Sequence, residues 1–250
     1  MPRPLYRARI IERPNRFVLD CRCCFTEKKR KIYLADPGRL PEIAVPDRMI
    51  YYHPAEKSDR KTEGTAVLAA VGDTLVSINS HRANRVAELG LRTGAFSQLE
   101  EWQLQKSEFS WGSSRFDFLL KRKEMIKEVE KDDENQKEKG ENRLLLEVKS
   151  VTWVREEIAC FPDAVTSRGR RHVEELIRWQ QETGGRAMVL FLLGRNDAAS
   201  FRPCREIDPD FADSLKSARD AGVIISAYRS RVSLSGIRPG EKLPVNWQQE

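Results

Sequence analysis

Asp117, Glu147 and Lys149 are the residues best suited to chemistry by their kind and placement. Residues 144–150 read LLLEVKS. Leu144, Leu145, Leu146 and Val148 form a run that is apolar on both faces, as expected of a strand inside a sheet. Within it Glu147 and Lys149 stand two apart and therefore share a face. Charge inside a sheet is costly unless it is paired or binds a metal. A second run of this kind, RFDFLL at 115–120, sets Asp117 among Phe116, Phe118, Leu119 and Leu120. If the two strands are neighbours and both carboxylates face the same way, Asp117 and Glu147 can hold one divalent ion, with the Val148 carbonyl as a further ligand. Mg²⁺ takes oxygen ligands and keeps several waters, so one or two carboxylates suffice, and Mg²⁺ or Mn²⁺ is the expected ion. Lys149 beside it can orient or deprotonate a water, or neutralise developing charge. Such a set suits hydrolysis of a phosphodiester. Glu-x-Lys alone is common on solvated strands. The apolar surroundings and the Asp117 strand favour a site here.

The segment FPDAVTSRGRRH at 161–172 places Thr166, Ser167, Arg168, Arg170, Arg171 and His172 before and into the first turn of a helix. Free amides at a helix start bind phosphate, and guanidinium groups add paired contacts. Because the segment follows the Glu147 strand, Thr166, Arg168, Arg170 and His172 are expected to meet phosphate near the ion. The plainer reading is that Asp163 or Thr166 caps the helix and the arginines are solvated. His172 is read as a phosphate contact or a helix-surface residue ahead of a general base.

The elements that must position these groups fall into two sets. Short runs at 6–11, 17–24, 31–35, 48–53, 66–71 and 74–79 read as strands, with Gly72-Asp73 as a two-residue hairpin turn. Strands of this number and size predict a small barrel of OB type. From residue 80 the pattern changes. Helical periodicity at 82–91 and 171–182, and an Asp208-Pro209 start running to 221, alternate with buried strands at 102–109, 115–120, 144–150, 186–193 and 223–228. That alternation predicts an α/β sheet. The expected domains are therefore 1–80 and 81–250. Residues 121–143 carry eight basic and eight acidic side chains, and read as a solvated extension of a turn.

The chain of 250 residues has a net charge of +6, which favours a polyanionic partner. No run approaches the ~20 apolar residues of a membrane span. The N-terminus lacks the apolar stretch of a signal peptide. Five cysteines without an export signal fit reduced thiols in the cytoplasm. Cys21-Arg-Cys-Cys24 contains a C-x-x-C, but zinc needs further ligands and only His53, His81 and His172 exist. Arg3, Arg7, Arg9, Arg13 and Arg16, interleaved with Tyr6 and Phe17, can make a basic barrel face. Glu88, on the helix before the Asp117 strand, is a further candidate carboxylate, with a surface glutamate as the plainer reading.

RFDFLL, LLLEVKSVT and FPDAVTSRGRRHVEEL, with IDPDFADSL and AYRSRVS downstream, resemble the sugar fermentation stimulation protein A family. DPGRL at 36–40 and NRVAELGL at 84–91 resemble its earlier motifs. The resemblance covers most of the chain, in order. It implies a cytoplasmic DNA-binding protein with a small OB-like β-barrel followed by a PD-(D/E)xK restriction-endonuclease-like α/β domain. It also implies metal-ligand roles for Asp117 and Glu147 and a catalytic-lysine role for Lys149. Asp163, Arg168, Arg170 and His172 then belong to the site region. The expected activity is metal-dependent phosphodiester hydrolysis, on DNA ahead of RNA. The alternative is a non-catalytic DNA-binding regulator of sugar metabolism on a nuclease-like scaffold.

Overall fold

The structure, a computed structural model, describes residues 4–55, 60–123 and 140–247. Most of the charged segment at 121–143 therefore lies outside the described residues, as does Arg3.

Six strands form the N-terminal part: β1 (Tyr6–Asn15), β2 (Val18–Cys23), β3 (Lys29–Tyr33), β4 (Met49–Pro54), β5 (Gly64–Val71) and β6 (Thr74–Ser77). Their order is β3-β2-β1-β4-β5-β6, and a β3–β5 pairing closes the first five into a barrel. Alternation drives the closure. Ala8, Ile10, Leu19, Cys21, Ile32, Ile50, Tyr52 and Ala66 point inward and are buried together. The closing rung sets Ile32 against Gly64. A Cβ on Gly64 would lie 2.6 Å from the Tyr52 ring, so only glycine lets the strands meet there. The turn between β5 and β6 uses Gly72 at φ 56°, as the Gly-Asp pair predicts.

The remainder is a mixed α/β domain. Its main sheet contains β7 (Trp102–Trp111), β8 (Ser114–Arg122), β9 (Arg143–Val151), β12 (Arg186–Leu193), β14 (Ile224–Ser233) and β15 (Gly236–Leu243), in the order β15-β14-β12-β9-β8-β7. Between them run β10 (Val154–Arg155), β11 (Ile158–Phe161) and β13 (Ser200–Pro203), which form a separate small sheet. The central β9 pairs antiparallel with β8 and parallel with β12. Helix α1 (His81–Thr93) covers one face, on Leu144, Leu146 and Val148. Helices α2 (Ser167–Thr183) and α3 (Pro209–Asp220) cover the other, on Leu145 and Val151. Asp208 caps α3 by accepting from the Phe211 amide, with Pro209 at its start, as predicted. The small sheet and β15 are additions to the predicted elements. The strands of the small sheet are two to four residues long. Pro239 and Gly240 interrupt the β15 pattern; such residues are tolerated because this strand lies at the sheet edge.

Among the described residues no helix is long and apolar enough to cross a membrane.

Candidate metal centre

The β8–β9 ladder runs from Lys121↔Arg143 to Phe118↔Leu146 and stops. Continued by one step, the same register sets Asp117 opposite Glu147. Where the backbone pairing ends, the Asp117 side chain takes over. Its Oδ2 accepts from the Val148 amide at 2.8 Å, and its Oδ1 accepts from Asn84 Nδ2 at 2.6 Å. An N–H and C=O of one strand residue point to the same side, so the Val148 carbonyl also faces this gap. Burial and the nearby Glu147 charge raise the Asp117 carboxyl to about 6, against the Val148 amide, Asn84 and Lys149.

Glu147 is 4% exposed. Its Oε1 accepts from Lys149 Nζ at 2.7 Å and from His172 Nδ1 at 2.7 Å. Burial opposes its charge, but Lys149 and His172 outweigh burial and hold the carboxyl below its ordinary range. Arg168 Nε donates to His172 Nε2 at 3.4 Å, which leaves the imidazole proton on Nδ1, directed at Glu147. The second oxygen, Oε2, is buried and has no hydrogen-bond partner. An ionised oxygen without a donor is costly in a protein interior.

The expectation that both carboxylates face the same way is corrected by their partners. The two carboxylates are tethered to helices on opposite faces of the sheet, Asp117 to α1 through Asn84 and Glu147 to α2 through His172. The Glu147 charge nevertheless acts on Asp117, just beyond the last β8–β9 pair. Among the described residues, no three His, Cys, Asp or Glu side chains stand together as a metal-binding group. The available donors are the two carboxylates and the Val148 carbonyl, all oxygens. They fit a hard cation that keeps waters, and the orphaned Glu147 Oε2 is the place where such an ion satisfies a group the protein does not.

Other predicted residues go elsewhere. His172 is 2% exposed; it is a buried partner of Glu147, and the helix-surface reading is corrected. Thr166 caps α2 by accepting from the Gly169 amide at 3.1 Å. Asp163 does not cap that helix. Its Oδ2 accepts from the Leu40 amide at 3.0 Å, 123 residues away, and fastens the α/β domain to the DPGRL loop of the barrel. In that loop Asp36 accepts from the Gly38 amide at 2.9 Å, and burial raises its carboxyl to about 6. Arg13 donates to the Gly38 carbonyl at 2.8 Å and so stiffens the junction. Arg170 pairs with Asp210 of α3 at 2.5 Å on the surface. Glu88 pairs with Arg92 at 2.6 Å. The α1 side chain that does reach the centre is Asn84, one turn earlier on the same face. Its only sequence signal is a lone amide among Arg and Ala at a helix start. Cys21 and Cys23 are buried in the barrel, Cys24 is exposed, and all five cysteines are free.

Residues 11–78 match the family model described as the SfsA N-terminal OB domain, and residues 81–236 match the sugar fermentation stimulation protein RE domain. A sugar fermentation stimulation protein homolog of Shouchella clausii is 37% identical over 243 residues, covering 97% of both chains. The homolog of Methanothermobacter thermautotrophicus is 36% identical, covering 98% of this chain and 95% of that one. Among solved structures, Pyrococcus furiosus SfsA in complex with Ca²⁺ aligns with a TM-score of 0.82 at 28% identity, covering 97% of this chain and 96% of that one.

Proposed function

The chain belongs to the sugar fermentation stimulation protein family, and on that premise we propose that it binds nucleic acid, DNA ahead of RNA, and hydrolyses its phosphodiester bonds with Mg²⁺ or Mn²⁺ held at Asp117 and Glu147. One observation carries the reading: a buried glutamate oxygen without a partner, beside a lysine and a second carboxylate whose charge the site disfavours. A cation there relieves both strains. The Pyrococcus furiosus protein forms a complex with Ca²⁺, which supports a site for hard cations in this family. The net charge of +6 favours a polyanionic partner.

A divalent cation at such a site acts as a Lewis acid and makes a bound water more acidic. The protein supplies the rest. Asp117, Glu147 and the Val148 carbonyl are the ligand set. Lys149, 2.7 Å from Glu147 Oε1, presents its ammonium where negative charge develops and can donate to the attacking water. His172 and Arg168 position Glu147; neither needs to touch the substrate for that. The Asp117 carboxyl near 6 makes a proton compete with the cation in mildly acidic solution, so turnover rises with pH through about 6.

Incubation of the purified chain with DNA and with RNA, in Mg²⁺ or Mn²⁺, tests the reading beside Asp117→Ala and Lys149→Ala. Cleavage by the wild type and loss in both variants is expected. Cleavage that persists in both places the chemistry elsewhere. Salt-sensitive binding with no cleavage by the wild type leaves the non-catalytic DNA-binding regulator as the function.

A further inference from the structure

A cleft of about 740 Å³ separates the barrel from the α/β domain. Its borders are the ends of the three elements that hold the carboxylates. Ser80, preceding α1, lies one turn before Asn84. Ser150 follows Lys149 on β9. Thr166 caps α2, whose His172 touches Glu147. The cleft thus borders the elements of the metal centre, one residue from Lys149 along β9, although the carboxylates themselves do not line it.

The walls differ in chemistry. The barrel side carries Arg16 and Arg39, both exposed; among the described residues neither forms an ion pair. The α/β side carries Trp153 and Phe161, both half-buried. The other charged groups in the cleft are already engaged. Asp163 accepts from the Leu40 amide, Asp36 from the Gly38 amide, and Arg13 donates to the Gly38 carbonyl. What remains is exposed guanidinium on one wall and an indole on the other, the combination that tracks a backbone on one side and stacks bases on the other. The volume is that of a small-molecule pocket, ~300–1,000 Å³. It has room for a short stretch of single strand.

Resting on the hydrolysis reading, we propose that the cleft takes single-stranded nucleic acid, with Arg16 and Arg39 on the phosphates and Trp153 against a base, and delivers it to Asp117 and Glu147.

The test measures anisotropy of a short labelled oligothymidylate and a matched blunt duplex on the full chain, without divalent ions. The single strand is expected to bind about tenfold more tightly than the duplex. Arg16→Glu with Arg39→Glu is expected to weaken the single strand tenfold or more and to reduce the salt slope by about 1.4, the value for two lost phosphate contacts. Trp153→Ala is expected to weaken it about fivefold or more. As a control, Lys28→Glu with Lys29→Glu makes the same charge change at two exposed barrel positions outside the cleft, and should cost less than threefold. Equal binding of duplex and single strand, or equal loss in the two double reversals, overturns the proposal. If the wild type does not cleave but these binding differences hold, the hydrolysis reading falls and the cleft stands. If cleavage of single strand is unchanged by Arg16→Glu with Arg39→Glu, the cleft falls and hydrolysis stands.

Discussion

Among the described residues two glutamates are almost completely buried, Glu147 at 4% and Glu175 at 2% exposure, and in both the Oε2 atom lacks a partner. Both carboxyls lie below their ordinary range despite burial. Their neighbours separate them. Glu175, on α2, accepts from the Ser113 amide at 3.0 Å and hydroxyl at 2.7 Å, and from the largely exposed Arg178. Glu175 is a clamp on the β7–β8 turn. Glu147 has instead a partly buried lysine, a buried imidazole and a second carboxylate that burial and the Glu147 charge push up to about 6. An orphan oxygen alone does not make a site. A second carboxylate, with the single Lys149 ammonium to offset the two charges, does.

Experiment can pull the two glutamates apart or merge them. The largest effect belongs to the centre: Glu147→Gln or Lys149→Ala should reduce cleavage by ~10³ or more, about 4 kcal/mol in the barrier. An active Glu147→Gln variant would make the two glutamates equivalent. Next, Glu175→Ala should cost about 2 kcal/mol, because the β7–β8 turn loses a charged acceptor that takes two of its hydrogen bonds. For a chain of this size that is a melting temperature lower by about 4–8 °C, with cleavage per folded molecule unchanged. A thermal melt and an assay on the same preparation check both halves.

Asp117→Asn should separate stability from activity. Because the folded-state carboxyl is raised to about 6, its stabilising contribution is complete below about pH 4 and is lost as pH rises through about 6. The neutral amide escapes that loss. Above pH 6, then, the inactive variant should be more stable than the wild type by about 1–2 kcal/mol, and the gap should close toward pH 4. Urea unfolding at both pH values measures it, and a wild type that is the more stable at pH 7.5 contradicts the reading. The smallest effect is at Arg170, whose pair with Asp210 is largely exposed. Arg170→Ala should change stability by less than about 0.5 kcal/mol and cleavage by less than threefold. A loss comparable to that of Lys149→Ala would return Arg170 to the centre.

Much of this was legible in the sequence where physics is local. Alternation in β1 to β6 exposes a barrel, and the apolar runs around Asp117 and Glu147 mark buried strands that carry charge without an evident reason. The Asp208-Pro209 start of α3 and the Gly72 turn are equally local. What stayed hidden depends on packing over long separations. His172 looked like one more polar residue in an arginine-rich turn; only the seating of α2 on the sheet turns its ring toward Glu147. Asn84 had a weak signal because an amide at a helix start is ordinary until Asp117 is beside it. Asp163 stood at the head of a helix, and nothing nearby in sequence told that its partner was the Leu40 amide.

The proposed chemistry requires Asp117 and Glu147 to share a cation. Anomalous diffraction from a crystal soaked in Mn²⁺ decides whether they do. A peak is expected between Asp117 and Glu147 Oε2, within coordination distance of the Val148 carbonyl, and it should disappear in Asp117→Asn. A well-occupied peak elsewhere in the molecule, or none at this position at saturating Mn²⁺, would refute the shared site.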